Sequence, residues 1–390
     1  MSESDRYPEM PLTASLDPAG NIGTAKALMT GRIHAYVGAG PKDILPPAFP
    51  WTVGVSPTSR CPRACFFCSH ATRNRLGHYL SEKTMCRVHD CLRTIGARGI
   101  IYAGGGDPLA WEHGIVPFIE LATGFCDVGI DTNGVLAGRL IASPAAQRVF
   151  YVTISLLAHE RRLYREICGR DQFDIVDRNI RAFAALKSRS ADGRPRVNVK
   201  LSVNRRSYRH FAAMCRYARG LGADNVFARC MNDFEIGQDI ELNEAQKREL
   251  YCATMRDCGL PDGYAEPFAR NLVYPPQLPA DMCAPSRCWS VILGHNLGIK
   301  PDGECYLCVP TTGRPEFSIG NVNRRPLDAL WGGARHLEVM RRLDDRMRRG
   351  GCDPNRCRHH RLNLVLERAL RGGFETPSAS MHDTLHASFL

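Results

Sequence analysis

The chain predicts an α/β protein: a parallel sheet wrapped by helices into a barrel or partial barrel, followed by a small cysteine-rich domain. Three observations predict it. Between Trp51 and Ala228, short β-branched apolar runs alternate with amphipathic helical stretches, the pattern of successive βα units. Residues 261–279 are rich in Pro and turn formers, as expected of a linker. Six of the 17 cysteines lie beyond it, at Cys283, Cys288, Cys305, Cys308, Cys352 and Cys357. A length of 390 residues suits one large core with a satellite.

The elements run in order. Residues 1–48 have little apolar periodicity beyond a helix around Ile22 to Met29, and form an N-terminal extension. Strands are expected at Trp51–Val55, Gly99–Ala103, Asp127–Asp131, Val149–Leu156, Arg196–Val203 and Asn225–Ala228, each a short β-branched run suited to a buried parallel sheet. Helical periodicity falls between them, near Ser81–Ile95, Ile115–Thr123, Asp174–Lys187 and Tyr208–Leu221. A further helix is expected at Asn243–Cys258, closing a barrel domain of residues 49–260 before a linker at 261–280. The fifth strand alternates strictly: Val197, Val199, Leu201 and Val203 on one face, Asn198, Lys200, Ser202 and Asn204 on the other. The apolar row should pack under helices and the polar row line the lumen. In the cysteine-rich domain, residues 281–372, Pro301-Asp302-Gly303 between two extended pieces predicts a hairpin turn. Residues 373–390 read as a polar tail.

Composition narrows the class. No apolar run approaches the ~20 residues of a membrane span. Met1 to Asp17 is acidic and polar, without the basic start and apolar stretch of a signal peptide, so a cytoplasmic protein is expected. So many cysteines in an unexported protein argue for metal rather than disulfides. The formal charge of +11 is largely Arg scattered over helices, densest from Arg341 to Arg361. Without an aromatic-interleaved strand motif it does not point to nucleic acid.

Chemistry in such barrels sits at the C-terminal ends of the strands, and the distinctive residues fall there. After the first strand, Cys61, Cys65 and Cys68 stand in a C-x3-C-x2-C run, with Phe67 before the last. Three thiolates so close can hold three irons of a [4Fe–4S] cube and leave the fourth iron open. Zinc would instead close its fourth valence with another Cys or His. Gly104-Gly105-Gly106-Asp107-Pro108 follows the second strand, and its glycines let backbone approach a ligand closely. The third strand ends in Asp131-Thr132-Asn133-Gly134 and the fourth in Thr153-Ile154-Ser155-Leu156.

Together these motifs resemble the radical S-adenosylmethionine (SAM) enzymes. The resemblance implies a partial (β/α)6 barrel whose open iron takes the amino and carboxylate groups of SAM. One electron then cleaves SAM to a 5′-deoxyadenosyl radical, and a reducing partner such as flavodoxin or ferredoxin supplies it. The Gly loop is similar to the family's Gly-Gly-Glu-Pro loop for the SAM amino group, with Asp107 one methylene shorter than Glu. Asn133 is similar to the family's Thr-Asn-Gly turn, and Ser155 to its Ile-Ser-Leu segment. Gly104, Gly105, Gly106, Asp107, Asn133, Ser155, Phe67 and the lumen residues Lys200 and Asn204 are thus the expected cofactor contacts.

The later cysteines resemble the SPASM and twitch domains, which extend radical SAM enzymes with auxiliary clusters. Cys288, Gly303 and Cys308 match the C-x(n)-G-x4-C opening, and Ile319-Gly320-Asn321-Val322 and Leu327 to Trp331 continue the pattern. The dense C-x2-C-x5-C-x3-C block of full SPASM domains is missing, so the twitch form with one [4Fe–4S] cluster fits better, two being the alternative. The expected ligands are Cys288, Cys308, Cys352 and Cys357; Cys283 and Cys305 are surplus. A structural zinc would equally take four thiolates. His359 and His360 read as surface or supporting residues.

The resemblance implies hydrogen abstraction from a small polyhydroxylated substrate, an aminocyclitol, sugar or nucleoside, in natural-product biosynthesis. An auxiliary cluster that accepts the electron gives dehydrogenation; a thiol that returns hydrogen from the opposite face gives epimerisation. Cys230, at the end of the sixth strand, is the candidate thiol, although it or its neighbour Arg229 must face the wall. Asp233 and Glu235 follow on the same loop. The competing readings are a peptide-modifying maturase, whose added peptide-binding domain finds no room in the short N-terminal segment, and a non-catalytic metal-binding scaffold.

Overall fold

A computed structural model describes residues 49–68, 70, 76–231, 240–247, 249–250, 285–352, 357 and 359–370. Six parallel strands form in chain order: β1 (Thr52–Val55), β2 (Gly99–Tyr102), β3 (Asp127–Thr132), β4 (Tyr151–Leu156), β5 (Arg196–Val203) and β6 (Asn225–Cys230). Each pairs with the next. The expected barrel strands are all present, with ends shifted by two residues or fewer. Of the expected helix at Asn243–Cys258, residues 243–247 and 249–250 are described, and 244–247 and 249–250 are helical. The linker, the N-terminal extension, the tail and the loop of Asp233 and Glu235 lie outside the described residues.

Register separates the two faces of the sheet. Val53, Ile100, Val128, Ile130, Val152, Ile154, Val197, Val199 and Leu201 are fully buried and face α1 (Glu82–Thr94), α2 (Val116–Ala122) and the helices that follow. The other face carries Gly54, Gly129, Thr153 and Ser155, joined across β4–β5 by the pairs Thr153–Asn198 and Ser155–Lys200. Asn198 also accepts a 2.9 Å hydrogen bond from the Asn225 amide on β6. The polar row of β5 therefore continues a polar inner surface, as its alternation predicts.

Two short helices, α3 (Gly138–Ile141) and α4 (Ala145–Arg148), link β3 to β4. Then α5 (Arg161–Cys168) and α6 (Phe173–Lys187) link β4 to β5. Gly169, at φ +72°, ends α5 in the left-handed conformation that glycine adopts freely. The helix expected at Tyr208–Leu221 begins as a 3-10 turn, Tyr208–His210, before α7 (Phe211–Gly220).

The cysteine-rich segment does not form a separate sheet. After α8 (Trp289–Ile292), β7 (Asn296–Ile299) pairs in parallel with β1. The strands β8 (Glu304–Tyr306) and β9 (Ser318–Asn321) extend it antiparallel, giving the order β6-β5-β4-β3-β2-β1-β7-β8-β9. An unclosed barrel leaves β1 with unpaired backbone groups; β7 takes them up, through Trp51 N to Gly294 O at 2.9 Å and Ser56 N to Ile299 O at 2.9 Å. The β7–β8 turn is the predicted Pro-Asp-Gly hairpin, closed by Gly303 N to Lys300 O at 2.8 Å with Gly303 at φ +87°. The helices α9 (Leu327–Leu330), α10 (Ala334–Arg348) and α11 (His360–Leu370) complete the segment. Among the described residues no helix is long and apolar enough to cross a membrane.

Candidate iron–sulfur and SAM site

Three loops meet at the C-terminal ends of β1, β2 and β3. The cysteine loop leaves β1 and packs on the Gly loop so tightly that a Cβ on Gly106 would stand 2.1 Å from the Arg60 carbonyl oxygen. Only glycine fits there. The Asp107 N–H donates to that same carbonyl at 2.8 Å. The Asp107 carboxylate is 1% exposed and accepts three hydrogen bonds: Leu109 N at 3.0 Å, Thr132 Oγ1 at 2.8 Å and Asn133 N at 2.7 Å. Burial pushes its pKa up, against those bonds and the nearby Arg63 charge. Its shorter arm thus spans from the Gly loop to the end of β3, and both its oxygens are committed to protein donors.

Sequence reasoning passed over Arg63, which works beside Asp107. Its guanidinium, 9% exposed, donates to Asn133 O at 2.5 Å and Ser155 O at 3.0 Å, joining the ends of β3 and β4 to the cysteine loop. Asn133 turns its amide toward Cys61, with Nδ2 3.4 Å from Sγ, while its Oδ1 accepts from Val135 N. Cys61 and Cys68 are raised in pKa by burial, Cys68 being offset by the His70 backbone N–H. Phe67 is 7% exposed and packs edge-on against Phe66. Gly104 and Gly105 sit in the same loop, Gly105 beside His70. Asn204 is fully buried just beyond β5, its Oδ1 accepting from Arg206 N, and Lys200 is half-buried on the polar row.

A second omission is Cys168, at the end of α5. It is fully buried, its carbonyl accepting from Ala64 N beside Cys65 at 3.1 Å and its thiol donating to Gln172 Oε1 at 3.8 Å. The neighbouring Cys65 thiol draws the pKa of Cys168 down, and Cys168 in turn pushes that of Cys65 up. Its only sequence signal was an amphipathic stretch before Gly169.

The second thiol group gathers under α10. Cys288 caps α8, Cys308 precedes the 3-10 turn Val309–Thr311, and Cys352 and Cys357 follow α10. Burial first and then the neighbouring thiols raise the pKa values of Cys288 and Cys308: Cys308 and Cys357 act on Cys288, and Cys357 and Cys352 on Cys308, which reaches about 12. The buried Asp344 organises this corner, accepting from Cys288 N at 3.0 Å and pairing with Arg287 at 2.8 Å and Arg348 at 3.2 Å. Part of the basic run is therefore structural. Ser290 Oγ and Asn363 Nδ2 stand 3.9 and 4.0 Å from the Cys288 sulfur. Cys305 is buried in β8 with its thiol on Gly303 O at 3.6 Å, and the charges acting on it are Glu304, Asp302 and Lys300. Cys283 lies outside the described residues, as do the side chains of Arg229 and Cys230.

Among the described residues no three His, Cys, Asp or Glu side chains stand close enough to share a single metal ion. The fit to a cluster rests instead on two sets of mutually repelling thiols, largely shielded from solvent, of which Cys288 is buried and the others half-buried. Polar hydrogens face the sulfurs of both sets, as a thiolate-bound iron core requires. Both sites fit such a group.

A family model for the radical SAM superfamily matches residues 55–197, and one for SPASM, an iron–sulfur cluster-binding domain, matches residues 288–359. Among curated proteins, a probable GTP 3′,8-cyclase of Methanopyrus kandleri is 35% identical over 134 residues, covering 34% of this chain and 42% of that protein. Another of Saccharolobus solfataricus is 26% identical over 171 residues, covering 43% and 53%. The matches thus span about half the length of these relatives. Among solved structures, Streptococcus suis SuiB bound to its precursor peptide SuiA has a TM-score of 0.55 at 14% identity, covering 76% of this chain and 67% of that one. Native anSMEcpe with AdoMet and a peptide bound has a TM-score of 0.55 at 14% identity, covering 80% and 87%. At such identities the likeness is one of fold.

Proposed function

The chain belongs to the radical SAM superfamily, and on that premise we propose that it takes hydrogen from a small polyhydroxylated substrate, giving dehydrogenation or epimerisation in natural-product biosynthesis. The observation that carries the reading is the junction of the three loops: the cysteine triplet, the Gly loop and Asn133, locked by Asp107 and Arg63. When bound, a [4Fe–4S] cluster with SAM at its open iron supplies a 5′-deoxyadenosyl radical. Cys61, Cys65 and Cys68 would hold that cluster, and Cys288, Cys308, Cys352 and Cys357 an auxiliary one.

The rest is the work of this chain's own groups. Gly104 and Gly105 offer backbone without side chains beside His70, where an amino group can be approached closely. The row of Asn198, Lys200 and Ser202 presents amide, ammonium and hydroxyl groups to hydroxyls of a substrate, which supports a polar class over an apolar one. Holding the substrate carbon near the radical and excluding water is the protein's main contribution. Flavodoxin or ferredoxin is the proposed reductant, and the cytoplasm the proposed location. The name of the curated relatives adds GTP and nucleosides to the substrate panel.

Anaerobic reduction with SAM should release 5′-deoxyadenosine, and a sugar, aminocyclitol or nucleoside should raise its yield. Turnover of a precursor peptide alone would overturn the substrate class. Reconstituted protein should carry about eight irons per chain, for two [4Fe–4S] clusters. A content of about four irons and one zinc would remove the auxiliary cluster from the proposal.

Cys230 closes β6 in register with Val203 of the apolar row, while Arg229 pairs with Ser202 of the polar row, so the register favours dehydrogenation over a thiol donor. As a hydrogen donor Cys230 would give product carrying one solvent deuterium when turnover is run in deuterated water, because a thiol exchanges its proton. Cys230→Ala would then still form 5′-deoxyadenosine but no inverted product. An Ala variant of unchanged turnover, with no deuterium in the wild-type product, would leave dehydrogenation as the reaction.

A further inference from the structure

A tyrosine floors the inner face of the sheet. Tyr151, at the start of β4, turns across β3, where a Cβ on Gly129 would stand 2.3 Å from its Cζ and 2.5 Å from its hydroxyl oxygen. Only glycine on β3 leaves room for that ring. Asp131 stands two residues further along β3 on the same face. Burial and then the charge of Asp131 hold the Tyr151 hydroxyl well above the usual tyrosine pKa, as a carboxylate placed over the ring would do.

Asp131 begins a row that crosses the sheet through Thr153, Asn198 and Asn225, each in register with the one before. Those three are neutral. Lys200 belongs to the next row up, between Ser155 and Phe227. Asp127, at the far end of β3 on the same face, has Arg194 at 3.8 Å. Asp131 is half-buried, yet among the described residues no donor bonds its carboxylate and no cation pairs with it. A carboxylate drawn partly out of water is costly until a cation offsets it. Asn133, about 7 Å further along the chain, turns its amide to Cys61. The carboxylate thus lies on the lumen wall just beneath the cysteine triplet.

We propose that Asp131 is the specificity-determining residue of the substrate site: it binds an ammonium group, so the substrate is an amine-bearing polyol rather than a neutral or phosphorylated one. An ammonium makes a charge-assisted hydrogen bond to the carboxylate. A hydroxyl would leave its charge uncompensated, and a phosphate would be repelled by it. Hydroxyls of the same molecule are left to Thr153 and Asn198. The inference rests on the reading of a small polyhydroxylated substrate in this lumen.

The test is equilibrium dialysis with the anaerobically reconstituted, SAM-loaded protein, as wild type, Asp131→Asn and Asp131→Glu. The probes are two matched pairs, glucosamine with glucose and 3′-amino-3′-deoxyadenosine with adenosine, and GTP as the anion. In wild type the amine of at least one pair should bind about tenfold more tightly than its neutral partner. Asp131→Asn, which keeps the shape and loses the charge, should bring that ratio to about one, and Asp131→Glu should keep most of it. The wild-type ratios and the Glu variant carry the test if the Asn variant loads iron poorly. Equal binding within both pairs, GTP binding more tightly than either amine, or a ratio unchanged in Asp131→Asn would overturn the proposal and leave the substrate reading standing. Binding of none of the five probes would overturn the reading of a small polyhydroxylated substrate, and this inference with it.

Discussion

Replacing Cys61, Cys65 and Cys68 together by alanine is expected to abolish 5′-deoxyadenosine formation while about half of the iron stays in the protein. The loss should be total, because no other described thiol can take the triplet's place. Cys168 is a single group on α5, and the Cys288 set is carried by the segment that follows the barrel. The surviving iron follows from the same separation. Cys288 is anchored by Asp344 and Arg287, and Cys308 by its turn to Thr311, all within the segment that follows the barrel. The measurement is iron and sulfide content of anaerobically reconstituted protein, with 5′-deoxyadenosine assayed after reduction. Loss of all iron in the triple variant would show that the two sites are coupled through the continuous sheet, in which β7 lies directly on β1. Retained cleavage of SAM would remove the triplet from the site.

Much of this arrangement is written locally in the chain. Parallel strands buried on both faces must be apolar and short, so runs such as Gly99–Tyr102 and Arg196–Val203 stand out by composition, and their order fixes the parallel sheet. The thiols stand out by spacing. What escapes is non-local. Each of α3 and α4 is four residues long, too short to show a helical period. Cys168 lies far along the chain from Cys65 and meets it only because α5 folds back on the cysteine loop. Arg63 reads as one more surface arginine until β3 and β4 bring the carbonyls of Asn133 and Ser155 to it. The joining of β7 to β1 was likewise invisible, because a linker of turn formers says nothing about where the next strand will find its partner. The unpaired edge of β1 decided it.

Asp107→Ala is expected to destabilise the protein by about 3 kcal/mol and to lower its melting temperature by roughly 10 °C, before any SAM is added. Three donors converge on this one carboxylate from two loops, and alanine would leave Leu109 N, Thr132 Oγ1 and Asn133 N buried without an acceptor. Each orphaned donor costs about 1–3 kcal/mol, reduced where water can enter the hole. Asp107→Asn should fall between, since its amide keeps one acceptor oxygen but turns an NH2 toward donors. SAM affinity should drop as well, by displacement: the Asn133 backbone would lose its tie to the Gly loop, and the amide that faces Cys61 would move with it. The role of the residue can be read from the order of these effects. If Asp107 joins the three loops, melting in the absence of SAM falls in both variants and the loss of affinity follows that fall. If its carboxylate instead bound the SAM amino group directly, SAM-free melting would stay put and only the affinity would change. With both carboxylate oxygens already committed to protein hydrogens, the geometry selects the first outcome.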